Sequence, residues 1–520
     1  MYPEISFMLT NRLSAYLRRL SVALVILLVS FLLGSAAGQT VSQPTEPPKQ
    51  VPGIGTAVQD PAAPPPSPQT QPATPPESQK PINKAQAKEL FRSVDEILQF
   101  VSHDTGLPIK HKVKRKLITR SQVERFVEKR LKDDKDTQRL ERSQLVLKKF
   151  GMIPADYDLH TEFLKLLSEQ VAAYYDSKTK TVNLLDWVQP ELQKTVLAHE
   201  LTHALQDQAV DLEKWGMAGA KDDLPLPDQQ EQVVEEAQAA RQNVAEGQAM
   251  VAMLDYTLAP AALNILTAPD VANAMRAAMT DGKDAPVLTA APVFLRESLL
   301  MPYTFGLDFV REVLSKKGKA AAFAGMLEHP PIDTRQVMEP ATYIAGQDVK
   351  PPTIPDLDKL IAPDYQRYDF GGMGEFDIYL LAKQYAPDKD AKQYYSHWRG
   401  GYYLAAHAKS APKDQIALIY LSRWDSPDAA NAFAKLYSSY VPKRYQLPAG
   451  VSAVSSVGRD ESGDMSFQWD LAQQGKVVIR TRASDVLILE GFDDPTANRI
   501  RDALLLGSSQ AAAMSAPVKP

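Results

Sequence analysis

Apolar residues recur three and four positions apart along much of the chain, and this spacing places them on one face of an α-helix. The pattern predicts helices over residues 84–168, in a segment ending at residue 208, over 231–256 and through most of 259–345. Pro190 is well placed to open the second of these helices at its first turn. The basic stretch 110–120 is interpreted as a solvated face near acidic neighbours.

Strand signals occur in two parts of the chain. Ala172–Tyr175 and Thr181–Leu185 flank a polar turn, which predicts a β-hairpin directly before the helix that Pro190 opens. After residue 351 the pattern changes, and a small sheet backed by helices is expected. Its predicted helices are FDIYLLAKQY and SPDAANAFAKLYSSYV, and its predicted strands are GYYLAAHA, QIALIYLSRW, MSFQWDLAQQ, KVVIRTRA and DVLILEGF. The fold class predicted is therefore α+β.

The N-terminal residues have the composition of an export signal. Three arginines among the first 19 residues precede an apolar run from Leu20 to Leu33, and small residues follow at 34–38. This order is typical of a secretory signal peptide, so we assign residues 1–38 to one, with an uncleaved signal anchor as the alternative. We expect an exported protein located in the periplasm, in the cell envelope or outside the cell.

The next segment is poor in residues that could form a core. Residues 39–82 are dominated by Pro, Gln, Thr, Ser and Ala, which predicts a disordered linker that would hold the folded part away from a membrane or wall. Two folded domains are expected behind it, at 83–350 and 351–510, with a disordered tail at 511–520. The C-terminal domain has no metal cluster or nucleophile triad in its sequence, so we interpret it as an accessory or regulatory module.

Composition excludes some classes of function. The 520 residues carry a formal net charge of -5, which argues against a nucleic-acid partner, because such a partner normally requires a basic face. The chain has no cysteine, so it forms no disulfides and cannot be a lipoprotein acylated on cysteine.

The chemistry is carried by an HExxH sequence, His199-Glu200-Leu201-Thr202-His203. Side chains four residues apart lie on one helix face, so both imidazoles can each donate a ring nitrogen to a single Zn²⁺ while Glu200 reaches the metal-bound water. The apolar residues around the motif favour this reading over a pair of packed histidines without a metal. We predict a zinc-dependent hydrolase, with a peptidase as the leading expectation.

A catalytic zinc site needs a third protein ligand, and Glu246 is the candidate. It lies in the predicted helix over 231–256, among small or apolar residues that would let another helix approach closely: Ala245, Gly247, Ala249 and Met250. Other carboxylates nearby are Glu231, Glu235 and Glu236. For Glu235 and Glu236 we prefer a solvated helix face, which is the usual environment of glutamate.

With these residues the chain resembles gluzincin-type, thermolysin-like metallopeptidases, in which HExxH is followed by a glutamate ligand on the next long helix. AEGQA at 245–249 is similar to the EGxA element that carries that ligand. The chain more closely resembles an uncharacterised bacterial family of exported HExxH proteins. The matching segments extend over about half of the chain and are EQVAAYYDSKTKTVNLL, LAHELTHALQDQ, the AEG element, MPYTFGLDFV and HPPIDTRQVMEPATY.

The resemblance implies a mainly helical, zincin-like metallopeptidase domain with a small β-hairpin, a Zn²⁺ cofactor and a peptide or protein substrate. Two departures from the family pattern stand out. Relatives often continue the motif as DQH, whereas this chain has Asp207-Gln208-Ala209. A polar insert at 216–230 also lengthens the path from His203 to Glu246, compared with thermolysin-like enzymes.

Several roles stay open at the level of sequence. Tyr303 or His329 could donate a hydrogen bond to the oxyanion of a tetrahedral intermediate, although core packing and a loop position are the plainer interpretations. The hairpin could align an extended substrate or could merely cap the motif helix. Two alternative functions are a cell-envelope interaction protein with a structural or vestigial zinc site and a zinc hydrolase of non-peptide amides or esters. The sequence leaves the oligomeric state open.

Overall fold

The computed structural model describes residues 81–506 apart from short gaps at 124, 126–133, 170–172, 219–227, 281–285, 349–350, 388–389, 411, 413–414, 449–454, 458–462 and 472–473. The predicted signal segment 1–38, nearly all of the predicted linker 39–82 and the predicted tail 511–520 lie outside the described residues, as does most of the insert 216–230. Within the described ranges, no helix combines the length and the apolar composition needed to cross a membrane.

The described part up to residue 348 is mainly helical. Its helices are α1 (Lys84–Thr105), α2 (Asp134–Phe150), α3 (Leu159–Glu169), α4 (Pro190–Val210), α5 (Leu212–Gly216), α6 (Asp228–Leu258), α7 (Asp270–Thr280), α8 (Pro286–Ala290), α9 (Val293–Met301), α10 (Leu307–Lys317), α11 (Met326–Glu328), α12 (Thr334–Met338) and α13 (Pro340–Ile344). A 3-10 turn follows α6 at Ala259–Ala261, and π-helical turns lie at Pro302–Gly306 and Ala321–Gly325.

A small sheet stands beside α4. It contains β1 (Lys114–Ile118), β2 (Tyr174–Asp176) and β3 (Thr181–Leu185) in the order β1-β3-β2. The predicted hairpin is confirmed, because β2 and β3 pair antiparallel with Tyr174 opposite Asn183. The prediction of helix at Lys114–Ile118 is wrong, since this segment pairs parallel with β3. Because its partner β3 is distant in the sequence, the local spacing of apolar residues does not indicate this pairing.

The C-terminal part is an antiparallel sheet with helices on both faces. Its strands are ordered β4-β5-β6-β10-β9-β8-β7. Their bounds are β4 (Tyr365–Gly372), β5 (Trp398–Ala408), β6 (Ile416–Trp424), β7 (Ser455–Val457), β8 (Ser466–Leu471), β9 (Gly475–Arg482) and β10 (Asp485–Glu490). The helices are α14 (Leu357–Ile361), α15 (Glu375–Tyr385), α16 (Lys392–Tyr395), α17 (Pro427–Arg444) and α18 (Asp494–Arg501), and a π-helical turn follows at Asp502–Leu506. The α+β class is confirmed.

Alternate residues of the large sheet enter two different cores. Tyr403 and Tyr420 face the main core, which also contains residues of the helices before residue 350. Phe150 at the end of α2 packs edge-on against both rings, at centroid distances of 5.7 and 5.5 Å. Leu404 and Leu487 face a smaller core covered by α14 and α18. The main core is therefore continuous between the helical part and the sheet.

Candidate metal centre

The HExxH sequence lies in the middle of α4. Pro190 occupies the first turn of this helix, as predicted, and Asp211, directly after its last residue, adopts the left-handed conformation with φ 55°. His199 and His203 are one turn apart on one face, and their rings meet edge-on with centroids 4.7 Å apart. Both imidazoles are buried, with exposed fractions of 0% and 8%.

Glu246 of α6 completes a group of three converging side chains. Its Oε2 lies 3.2 Å from His199 Nε2 and 3.5 Å from His203 Nε2, and the two Nε2 atoms are 3.1 Å apart. Among the described residues, these three form the group of His, Asp and Glu side chains that could hold a metal ion. Ligand atoms about 2.0–2.1 Å from a tetrahedral Zn²⁺ lie about 3.3–3.4 Å apart, so the donor set fits such an ion.

The charges of the group also fit a cation. Burial acts to raise the pKa of Glu246, but the two imidazoles outweigh it and lower that pKa to about 2. Burial acts to lower the pKa of His203, and the carboxylates of Glu246 and Glu200 outweigh it and raise that pKa to about 9. A buried carboxylate thus faces a protonated imidazole, and a bound divalent cation would take the place of that proton.

Glu200 lies beside this group without belonging to it. Its Oε2 accepts a hydrogen bond of 2.7 Å from the backbone N–H of Tyr175 in β2, while its buried Oε1 has no hydrogen-bond partner among the described residues. Burial raises the pKa of Glu200 to about 8, against the opposing charge of His203. One oxygen is therefore fixed, and the other is available to exchange a proton near neutral pH.

The hairpin is attached to α4 by Asp207. The Tyr175 hydroxyl donates to Asp207 Oδ2 at 2.6 Å, and Lys180 Nζ lies 2.7 Å from the same oxygen. The other oxygen, Oδ1, accepts from the backbone N–H of Leu212 at 3.1 Å. Asp207 therefore fixes the position of β2 against the motif helix. Asp207 stands one turn after His203 in the sequence, and no local pattern indicates this role.

Tyr303 lies against the metal-binding group. Its ring stacks on His199 with centroids 6.3 Å apart and an interplanar angle of 23°. Burial, together with the negative charges of Glu246 and Glu200, raises its pKa well above 10, so its hydroxyl stays protonated and can donate a hydrogen bond. Tyr303 is also buried in the main core, which agrees with its plainer interpretation as a core residue, and the same position places it beside the candidate ligands.

Close helix packing brings Tyr303 there. A Cβ atom built on Gly247 would collide with the backbone oxygen of Gly306, and one built on Gly306 would meet the backbone oxygen of Asn243 at 2.6 Å. Glycine at both positions lets α6 contact the π-helical turn Pro302–Gly306 directly. The predicted close approach of another helix at Gly247 is therefore observed, with Tyr303 on the approaching segment.

The structure does not bring His329 to this centre. Its side chain is exposed at the end of α11, and its backbone carbonyl accepts a 2.6 Å hydrogen bond from the Tyr343 hydroxyl. The buried group that could hold a metal does not include it. The loop interpretation of His329 agrees with this position.

The expected solvent exposure of Glu235 and Glu236 is wrong. Both are buried, with exposed fractions of 2% and 7%, because α6 is covered on several sides by other elements. Glu236 Oε2 accepts hydrogen bonds of 2.8 Å from the backbone N–H and the hydroxyl of Thr334, at the start of α12. Neither joins the group that could hold a metal.

Comparisons with protein-family models, with curated proteins and with solved structures return no match to this chain. The resemblance to the gluzincin-type metallopeptidases therefore stays a prediction, and the function is inferred from the residues of the site.

Proposed function

We propose that this protein is an exported, zincin-like zinc metallopeptidase with His199, His203 and Glu246 as metal ligands. The observation that carries the proposal is the buried convergence of two imidazole nitrogens and one carboxylate oxygen at separations of 3.1 to 3.5 Å. Two histidines and one glutamate are a known ligand set for catalytic zinc. A structural zinc site would be closed by a fourth protein ligand, and the described residues contain no such group here.

The chain's own groups can perform the proton transfers of amide hydrolysis. When bound, Zn²⁺ would supply Lewis-acid activation of water and polarisation of the substrate carbonyl. Glu200 takes a proton from the attacking water at Oε1 while Tyr175 holds Oε2. The water oxygen bonds to the carbonyl carbon, the C–N bond breaks, and Glu200 passes the proton to the leaving nitrogen. Tyr303 donates a hydrogen bond to the carbonyl oxygen as it gains negative charge.

The hairpin supports a peptide as the substrate. β2 lies at an edge of the small sheet, and its residue Tyr175 contacts Glu200 through the backbone N–H. An extended peptide that added to this edge would pass directly beside the proposed general base. Backbone hydrogen bonds of this type tolerate many side chains, which suits a peptidase better than a hydrolase of small esters.

The test compares three variants with the parent protein. Glu200→Gln should abolish peptide hydrolysis and retain zinc, whereas His203→Ala should lose both, because one residue moves protons and the other binds the metal. Glu191→Gln, at an exposed position of the same helix, is the matched control and should behave as the parent. The measurements are zinc content by elemental analysis and cleavage of a peptide library with and without a chelator.

Two results would overturn the proposal. One is turnover retained in the Glu200→Gln variant. The other is a purified parent protein that binds no zinc and cleaves no peptide, and parallel assays with ester and amide substrates would identify a non-peptide hydrolase.

A further inference from the structure

A chain of two buried glutamine side chains leads away from the metal-binding group. Gln206 Oε1 lies 2.8 Å from His203 Nδ1, and Gln206 Nε2 donates to Gln248 Oε1 and to the Ala245 carbonyl, both at 2.9 Å. Both glutamines have exposed fractions of 0%. Gln206 belongs to α4 and Gln248 to α6, so the chain joins the two helices that carry the proposed ligands.

Gln248 anchors the far end of this chain. Its Nε2 donates to the backbone carbonyls of Ala322 and Phe323, at 2.7 and 3.0 Å. These carbonyls belong to the π-helical turn Ala321–Gly325, a type of turn that is frequent at functional sites. The chain therefore runs from the backbone of a packed turn to a proposed zinc ligand.

Backbone carbonyls set the direction of every hydrogen bond in the chain. A carbonyl oxygen can only accept, so the ends of Gln248 and Gln206 that face carbonyls must be their NH₂ groups. Rotating either amide by half a turn would bring two oxygens together. The end of Gln206 that faces His203 is then its oxygen, and His203 Nδ1 must carry the hydrogen that it accepts.

We propose that Gln206 and Gln248 are positioning residues that hold His203 in the tautomer able to bind a metal through Nε2. With its hydrogen kept on Nδ1, the neutral ring has its lone pair on Nε2, the nitrogen that lies 3.5 Å from Glu246 Oε2 and 3.1 Å from His199 Nε2. The inference rests on the proposed metal site, and it adds a role for two residues that contact neither the metal-binding atoms nor the proposed substrate.

The two histidines are held differently. His199 Nδ1 is buried and has no hydrogen-bond partner among the described residues, so no comparable chain orients that ring. Changes at Gln206 should therefore act on the metal through His203. Outer partners of this kind typically contribute tenfold to 100-fold to metal affinity.

The experiment compares Gln206→Leu, Gln248→Leu and Gln193→Leu in the full-length protein. Leucine at position 206 removes the acceptor for His203 Nδ1–H, so zinc affinity should fall tenfold to 100-fold. Gln193 is a matched control, because it is buried on the same helix and hydrogen-bonds to the backbone of Leu185 and Val188. Its variant should lose stability without losing zinc affinity.

Two measurements separate positioning from a loss of folding. Competition with a chelator gives the zinc affinity, and nitrogen-15 NMR of the zinc-loaded protein should locate the His203 hydrogen on Nδ1 and the metal on Nε2. Gln248→Leu should weaken binding less than Gln206→Leu, because the Ala245 carbonyl still orients Gln206.

The outcomes distinguish the two proposals. If the parent binds zinc tightly but Gln206→Leu binds it equally well, the positioning role is wrong and the metal site stands. Zinc bound through His203 Nδ1 would also overturn that role. A parent protein that binds no zinc overturns both proposals.

Discussion

At the scale of single residues, two glutamates of the same centre differ because their neighbours differ. Glu246 lies between two imidazoles, which lower its pKa to about 2 despite burial. Glu200 is equally buried but lacks such close contacts with both rings, and burial raises its pKa to about 8. Environments that separate the pKa values of neighbouring carboxyl groups are typical of sites that assign them different roles. The permanently ionised group suits a metal ligand, and the titrating group suits a general base.

The Tyr303 hydroxyl should contribute to turnover and not to zinc affinity. Tyr303→Phe removes the proposed donor to the carbonyl oxygen and keeps the ring that stacks on His199. We expect kcat to fall by about 10²–10³, the usual cost of losing one oxyanion donor, with zinc affinity nearly unchanged. Peptide-cleavage kinetics and chelator competition measure the two quantities. Unchanged kcat would show that Tyr303 serves packing alone.

The buried carboxyl group of Glu236 should make the stability of the fold depend on pH. Burial, with the charges of Asp333 and Asp377, raises the pKa of Glu236 to about 8 from 4.5, against the hydrogen bonds from Thr334. A carboxyl whose folded pKa is raised stabilises the fold below its unfolded pKa, and this stabilisation is lost as the pH rises through the folded value. Glu236→Gln keeps an acceptor for Thr334 and removes the titration.

The free energy of unfolding of the parent should therefore fall relative to that of Glu236→Gln as the pH rises from 4.5 to about 8. The difference should change by up to about 1.4 kcal/mol per pH unit, the limit for one proton. Urea denaturation across this range measures it. Glu312→Gln, an exposed position of α10, is the control and should follow the parent, whereas parallel curves for Glu236→Gln and the parent would contradict the prediction.

At the scale of elements, α6 joins the parts of the centre. It carries Glu246, it receives the amide of Gln206 on its Ala245 carbonyl, and it contacts the turn that carries Tyr303. A helix surrounded in this way needs a small residue at each point where another backbone crosses it. In α6 that residue is Gly247, which directly follows the proposed ligand Glu246.

Gly247→Ala should disturb both the fold and the centre. The added methyl group would collide with the Gly306 carbonyl, and overpacking of this kind typically costs about 1–3 kcal/mol. Separation of α6 from the turn Pro302–Gly306 would also move Tyr303 away, so we expect a fall in kcat. Gly216→Ala, where a methyl group meets nothing within 4 Å, should be neutral or slightly stabilising. The free energy of unfolding and kcat are measured for both variants. If Gly247→Ala matches Gly216→Ala in both quantities, the close approach of the two backbones at Gly247 does not determine stability or activity.

At the scale of the whole molecule, polar and apolar contacts both join the helical part to the sheet. Arg444 of α17 donates to the Lys149 carbonyl of α2 at 2.7 Å and pairs with Glu490 of β10 at 2.7 Å. The side chains of Arg444 and Glu490 are buried, and the hydroxyls of Tyr437 and Tyr445 also donate to the Glu490 carboxylate. A buried ion pair of this kind is costly to break, because the remaining charge loses its partner.

We expect the folded part to unfold in one cooperative transition. A chain shortened to end at residue 350 loses the aromatic partners of Phe150 and the cover of the main core, so it should show no cooperative thermal transition. Scanning calorimetry of the full and shortened chains measures this. A shortened chain that unfolds cooperatively and binds zinc would instead establish the predicted domain at 83–350 as an independent unit.

The local structure and the two histidines of the centre could be predicted from residue patterns alone. The helical spacing of apolar residues predicts α4 and α6. His199 and His203 lie one turn apart in α4 because of helix geometry alone, whatever the position of α4 in the fold. The hairpin and most C-terminal strands were likewise readable, because residue alternation and turn residues are local signals.

Residue patterns named Glu246 as the candidate third ligand, but the fold was needed to show that it meets the histidines. The fold also sets the pKa of each carboxyl group and brings Tyr303 and the Gln206–Gln248 chain to the centre. It also decided that Glu235 and Glu236 are buried and that Lys114–Ile118 is a strand. The physical reason is that burial, electrostatic shifts and strand pairing depend on neighbours distant along the chain. Which residues become neighbours depends in part on how closely two backbones can approach, as at Gly247 and Gly306, where a side chain would keep the two segments apart.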